Sequence, residues 1–334
     1  MKKNSKVSDA IEGVKRGDLV SVSRALTLAA DGQKEADEIL RAFFKDLGRA
    51  QKIGLCGPPG VGKSSLSSRL ISLYRKRNLK VGMLAVDPSS PISGGSFLGD
   101  RLRIQEHIGD TGVFIRSIAS RGMVGGLSGT IFSQIHVLEA YGCDKILIET
   151  VGIGQDEVAI ARAADTVVYV TTPQLGDEIQ AMKAGVMEIG DLFVVNKADL
   201  EGKDKAVSDI RAALGLGQAR SLSVQERLHH GGLDAGVLVE TKEPRAWEPP
   251  VLAASARDGE GLEPLLESLD RHEKYLKETS EGRRRLKNQC REELSLYVSR
   301  RLYRDFLSKV SEKDIEDLVD HKMNLVDLAS EILK

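Results

Sequence analysis

Apolar runs of five to seven residues alternate with helical patterns through the middle of the chain. They fall at 52–56, 80–86 (KVGMLAV), 112–117 (GVFIRS), 145–149 (KILIE), 165–171 (DTVVYVT), 191–196 (DLFVVN) and 250–254 (PVLAA). Each run is short enough for a strand, and segments of helical apolar periodicity lie between most of them. That alternation predicts an α/β fold on a mostly parallel sheet. Residues 1–50 read as helical, with Leu19, Val22 and Leu26 on one face and Ile39, Leu40, Phe43, Phe44 and Leu47 on another, punctuated by Asp31-Gly32. From about Leu262 the chain is helical to its end, and Leu294, Val298, Leu302, Phe306 and Val310 recur every four residues. Such a stripe is expected to be buried on the sheet domain or on another chain. The expected organisation is an N-terminal helical extension (1–50), a sheet domain (51–270) and a C-terminal helical arm (271–334).

In open parallel sheets ligands bind at the carboxyl ends of the strands, so the polar residues ending each run come first. The first run leads into Gly57-Pro58-Pro59-Gly60-Val61-Gly62-Lys63-Ser64-Ser65, which meets the phosphate-loop pattern at every required position. Its glycines allow successive N–H groups to converge on phosphate oxygens, and the following helix points its positive end at the same anion. Lys63 can reach β- and γ-phosphates, and the Ser64 hydroxyl suits Mg²⁺. The full spacing, the preceding strand and the following helix set this loop apart from a Gly-rich turn and imply a nucleoside triphosphate.

Three further strand ends carry chemistry. The second run ends in Asp87-Pro88-Ser89-Ser90-Pro91, followed by a Gly-rich stretch through Asp100-Arg101, a candidate switch loop. Asp87 and Asp100 could address Mg²⁺ directly or through water; a cap or turn aspartate is the alternative for either. KILIE runs into Glu149-Thr150-Val151-Gly152, where GTP hydrolases usually carry Asp-x-x-Gly, with the acid near Mg²⁺ and the glycine N–H on the γ-phosphate. A carboxylate ending a buried strand needs a partner, and a metal supplies one. DLFVV delivers Asn196-Lys197-Ala198-Asp199, a guanine-reading tetrapeptide: the acceptor-only Asp199 matches the N1–H and 2-amino donors of guanine, which adenine lacks. The last run ends in Ser255-Ala256-Arg257, where the base pocket is expected to close.

Other stretches stay ambiguous. Asp177, Glu178 and Lys183 within 171–185 fit either a nucleotide-responsive segment or the polar face of a helix. A second Gly-rich loop, 121–129, lacks a following Lys-Ser. His229 and His230 have no ligand partner at metal spacing and read as surface loop.

Composition narrows the classes. A net charge of −1 gives no global field toward nucleic acid or anionic lipid. The arginines at 283–285, 300, 301 and 304 are diluted by Glu292, Glu293, Asp305 and Glu312, and read as a solvated face. Cys56, Cys143 and Cys290 are isolated and odd in number, which fits a reducing cytoplasm, with Cys56 and Cys143 as small core residues. The start is basic without an apolar h-region, and no run of about 18 apolar residues suits a membrane.

Taken together, GPPGVGKS, DPSSP with GGSFLGDR, RGMVGGLS, ETVGIGQDE, DEIQAMKAGVMEI, NKAD and AWEPPVLAASARDGEGL resemble the MeaB/ArgK family, the methylmalonyl-CoA mutase-associated GTPases. The resemblance covers roughly 20–275 well and the tail loosely. It implies a P-loop GTPase core with an N-terminal helical extension and a C-terminal dimerisation arm. It also implies slow hydrolysis of GTP to GDP, coupled to loading and protecting an adenosylcobalamin-dependent acyl-CoA mutase. By matched position, Ser64, Asp87, Asp100 and Glu149 are the implied Mg²⁺ ligands, and Lys63, Asp100 and Glu149 the implied catalytic set. Gly57 to Ser65, Gly152, Asn196, Lys197, Asp199, Ser255, Ala256 and Arg257 are the implied nucleotide contacts. Two departures stand out: Pro173-Gln174-Leu175-Gly176-Asp177 replaces a smaller Gly-rich turn, and 215–245 is longer than expected. Alternative readings are a nickel-delivery GTPase, a kinase of a transport protein and a non-hydrolysing nucleotide-gated interaction module.

Overall fold

All seven apolar runs become strands of one sheet in the computed structural model, which describes residues 2–31, 34–88, 105–107, 109–120, 131–150, 156–175, 189–215 and 247–332. The strands are β1 (Gln51–Cys56), β2 (Val81–Pro88), β3 (Val113–Ser120), β4 (Lys145–Thr150), β5 (Thr166–Thr171), β6 (Leu192–Val195) and β7 (Val251–Ala253). Their order is β3-β2-β4-β1-β5-β6-β7, and every neighbouring pair is parallel. The expected mostly parallel sheet is therefore parallel throughout. The chain spreads from β1 to β2 and β3 on one side and to β5, β6 and β7 on the other. The crevice above the carboxyl end of β1 is thus the point where strand order reverses, the place such sheets bind ligands.

β1 is buried along its whole length, as a central parallel strand must be. Ile53 and Leu55 pack with Leu66, Leu70 and Tyr74 of α4 (Lys63–Lys76) and with Leu265, Leu266 and Leu269 of the helix Leu262–Glu278. On the other face α6 (Asp156–Ala163) approaches so closely that a Cβ on Gly54 would lie 2.2 Å from Ile160 Cγ2.

The N-terminal residues form α1 (Lys2–Lys15), α2 (Leu19–Asp31) and α3 (Lys34–Phe43), with α2 and α3 packing on α5 (Ile131–Ala140). With this cover outside and the sheet beneath, α5 is buried almost all round, which explains its lack of a polar face. Glu139 accepts hydrogen bonds from the N–H groups of Gly48 and Ala50 at 3.0 and 3.2 Å, fixing the entry into β1. Val22, Leu26, Ile39 and Phe43 are buried as their spacing predicts, but Leu19 and Phe44 are exposed. Leu19 is the first residue of α2, and Phe44 falls in a 3₁₀ turn where the α-helical phase is lost.

At the amino end of the strands lies a buried polar network. The Asp191 carboxylate accepts two hydrogen bonds from Arg285, both at 2.7 Å, and one from Val167 N–H at 2.9 Å. Trp247 donates its indole N–H to the Asp191 carbonyl at 2.9 Å. Beside it His272 is fully buried, with Nδ1 2.9 Å from Thr166 Oγ1. Burial pushes the His272 imidazole down to about 4, against the pull of the Asp191 charge. Arg285 therefore departs from the solvated face expected of its arginine run. It makes a two-pronged ion pair with the buried Asp191 carboxylate.

Two compact units are present, Met1–Arg285 and Leu286–Lys334. In the second, Leu294, Val298 and Leu302 of the apolar stripe are exposed, while Phe306 and Val310 are half-buried. Ser311 and Asp314 form a reciprocal cap at the start of the helix Glu312–Val319, and Lys309 Nζ donates to the Ile332 carbonyl at 3.0 Å. Cys56 and Cys143 are buried, as expected of core residues, and Cys290 is exposed. Among the described residues no helix is long and apolar enough to cross a membrane.

Candidate nucleotide-binding site

The loop after β1 is shaped by two close approaches. Gly57 has φ +132°, and a Cβ there would lie 2.0 Å from the Val170 carbonyl oxygen of β5. Gly62 has φ +91°, and a Cβ there would lie 2.5 Å from Asn196 Nδ2. Side chains are excluded at both positions by backbone conformation and by space. α4 begins at Lys63, so its unsatisfied N–H groups open toward the loop. The buried Lys63 ammonium donates to the carbonyls of Gly57 and Pro58 at 2.7 and 2.8 Å, which places it inside the loop it serves. Pro59 and Gly60 form its exposed rim, Val61 is buried and Ser65 is exposed.

β4 brings Glu149 beside α4. Its carboxylate is almost fully buried and accepts from Ser64 Oγ at 2.5 Å through Oε1 and from Ser67 Oγ at 3.2 Å through Oε2. The predicted pair Ser64 and Glu149 is therefore brought together. Asp87 lies one residue past the register partner of Thr150, at the same sheet edge. Asp100, Gly152, most of the loop 87–101, the loop 121–129, most of 171–185 and 215–245, and His229-His230 lie outside the described residues.

The residues expected to read the base follow β6 and β7. Asn196 Nδ2 donates to the Val61 carbonyl at 2.8 Å while its Oδ1 accepts from Ala256 N–H at 3.1 Å, so one amide ties the phosphate loop to the loop after β7. Lys197, with φ +57°, donates to the Gly60 carbonyl at 2.9 Å. The Asp199 carboxylate accepts from Ser255 Oγ at 3.0 Å and has the Arg257 guanidinium 3.8 Å away. Ala256 is buried; Arg257 is exposed at the rim.

This arrangement, the glycine-rich loop after β1 joined through Asn196 to the loop after β7 beside Asp199, agrees with what sequence comparison finds. Residues 22–311 match the family described as methylmalonyl Co-A mutase-associated GTPase MeaB. The chain belongs to the MeaB family. It is a GTPase and binds guanine nucleotide. A relative from Pyrococcus horikoshii is 39% identical over 318 residues, covering 95% of this chain and 93% of that one. The mouse methylmalonic aciduria type A homolog, a mitochondrial protein, is 32% identical over 271 residues, covering 77% of this chain and 60% of its own. A solved structure of an LAO/AO transport system kinase superposes with a TM-score of 0.63 at 20% identity, over 98% of this chain and 96% of that one, and shares the fold.

Two residues of this MeaB-family GTPase were not singled out by sequence patterns. Ser67 reads as a polar residue in a helix, yet it is fully buried against Glu149. Arg69 reads as solvent-facing, yet it donates to the carbonyls of Ala256 and Arg257 at 2.7 and 3.1 Å. A buried-face serine at 67, beside Leu66 and Leu70, was the one available signal.

Proposed function

We propose that this protein is a Mg²⁺-dependent GTPase chaperone that gates cofactor loading and protects an adenosylcobalamin-dependent acyl-CoA mutase. The observation carrying this reading is the family match, which runs from residue 22 to 311 and so includes the core and the first part of the arm. The organisation that fits is 1–50 as helical extension, 51–270 as GTPase domain and 271–334 as homodimerisation arm. The uncovered Leu294, Val298 and Leu302 support a second copy as the arm's partner.

The Mg²⁺ assignment rests on donor chemistry. A serine hydroxyl and a carboxylate oxygen 2.5 Å apart make an all-oxygen set that suits a hard cation. Ser64 and Glu149 would hold it, with Asp87 from the end of β2 and Asp100 from the stretch that follows. A Mg²⁺ held there would supply positive charge against the β- and γ-phosphates. Lys63 would exchange its loop carbonyls for phosphate oxygens, and Gly152 would meet the γ-phosphate. Asn196, Lys197, Asp199, Ser255, Ala256 and Arg257 would enclose the base. Glu149→Gln keeps the shape and removes the charge, so it is expected to raise the Mg²⁺ concentration for half-maximal turnover about tenfold, the equivalent of about 1.4 kcal/mol. A Mg²⁺ titration of phosphate release checks this, and an unchanged midpoint removes Glu149 from the metal site.

A nucleotide switch acts on a partner only through different affinities in its two states. The test is to purify the acyl-CoA mutase of the same cell with this protein loaded with GDP or with a non-hydrolysable GTP analogue. Nucleotide-dependent complex formation and a mutase-stimulated GTP turnover are expected. No complex in either state and unchanged turnover would overturn the chaperone reading while leaving the GTPase intact.

A further inference from the structure

α4 serves the phosphate site with its first turn, and Arg69 reaches from the same helix to the other end of the nucleotide. Its Nε–H donates to the Ala256 carbonyl at 2.7 Å and its Nη2–H to the Arg257 carbonyl at 3.1 Å. Among the described residues no other donor reaches either carbonyl. The loop is held at other points by groups of the base reader: Ala256 N–H by Asn196 Oδ1 at 3.1 Å, and Ser255 Oγ by Asp199 Oδ1 at 3.0 Å.

Planar trans peptides connect these contacts. With the Ala256 carbonyl turned toward Arg69, the Arg257 N–H projects from the opposite side of the peptide. With the Arg257 carbonyl turned the same way, the Asp258 N–H is aimed away from α4, and it donates to Ser255 Oγ at 3.2 Å. The single Ser255 hydroxyl proton is in turn shared between Asp199 Oδ1 at 3.0 Å and Asp258 Oδ2 at 3.2 Å. An unbroken chain of hydrogen bonds and rigid peptides therefore runs from the phosphate-loop helix to the carboxylate that reads guanine.

We propose that Arg69 is a positioning residue for guanine recognition: by clamping the Ala256 and Arg257 carbonyls it orients Ser255 and, through it, Asp199. A guanidinium suits this role because its fork presents two N–H groups in fixed directions to two adjacent carbonyls. The inference rests on guanine lying at Asp199, and deepens that reading by naming what holds the reader in place.

The experiment compares three competitors of a fluorescent guanine nucleotide: GDP, IDP and inorganic tripolyphosphate. IDP lacks only the 2-amino group, so the GDP-to-IDP affinity ratio reports the Asp199 geometry. Tripolyphosphate reports the phosphate loop alone. In Arg69→Ala, GDP affinity is expected to fall about tenfold and the GDP-to-IDP ratio at least about threefold, with tripolyphosphate changed less than about twofold. Arg69→Lys keeps the charge but replaces the fixed fork with a single ammonium nitrogen; it should fall between, and it carries the test if Arg69→Ala does not fold. An unchanged GDP-to-IDP ratio overturns the proposal. Equal losses for all three competitors also overturn it, because Arg69 then merely braces α4. Failure of the underlying reading looks different: Asp199→Asn would then leave the preference for guanine over xanthine untouched.

Discussion

Lys63→Ala is expected to lower GTP affinity or turnover at least tenfold, with about a hundredfold the central expectation. In this structure the Lys63 ammonium is buried and held by the Gly57 and Pro58 carbonyls, so it is already desolvated at the phosphate site. Charge-assisted hydrogen bonds contribute roughly 1.5–3 kcal/mol each, and one or two of them to β- and γ-oxygens amount to that loss. Their weight grows as charge accumulates on the transferring phosphoryl group, so turnover should fall further than affinity. Alanine also removes the donor from two carbonyls of the loop, and a modest fall in thermal stability should accompany the loss. Nucleotide competition and phosphate release, read beside a melting curve, check the expectation. A folded variant with wild-type affinity and turnover would remove Lys63 from the site.

Asp199→Asn is expected to exchange guanine for xanthine. The Asp199 carboxylate accepts from Ser255 Oγ through Oδ1, and its remaining acceptor capacity matches the two guanine donors at N1 and at the 2-amino group. Asparagine keeps one acceptor and turns the other into a donor. Guanine then meets donor against donor, while the 2-carbonyl of xanthine accepts. One lost and one opposed charge-assisted contact at roughly 1.5–3 kcal/mol each predict that GTP affinity falls at least about a hundredfold. Xanthosine triphosphate should rise by a comparable factor. Competition assays with GTP and xanthosine triphosphate on both proteins measure the exchange. A variant that still prefers GTP at wild-type affinity would show that the base lies elsewhere.

Much of the fold was legible because it rests on short-range patterns. The central strands show as nearly continuous apolar runs, since a parallel strand buried on both faces leaves little room for polar side chains. The phosphate loop shows because backbone geometry imposes residue types at fixed spacing; the φ values of Gly57 and Gly62 are the requirement their codons meet. Asn196 to Asp199 shows because it follows an apolar strand. Where the reading erred, phase or partner was at fault. Phe44 continues an apolar series by count but lies beyond the end of α3, and Arg285 resembles its solvated neighbours yet faces Asp191.

The sequence by itself thus determined the parallel α/β class and the GTPase family, and it proposes Gly57–Ser65 and Asn196–Asp199 as nucleotide contacts, because each pattern is written within about ten neighbouring residues. Only the tertiary structure decided which distant residues meet. Arg69 grips carbonyls 187 and 188 positions away, Ser67 and Glu149 are 82 apart, and Arg285 and Asp191 are 94 apart. Such pairs leave no local signature. A polar side chain at an exposed helix position and one aimed into a neighbouring loop have the same spacing along the chain. Strand order separates them: by setting β1 between β4 and β5, it brings the first turns of α4 within reach of both Glu149 and the loop after β7.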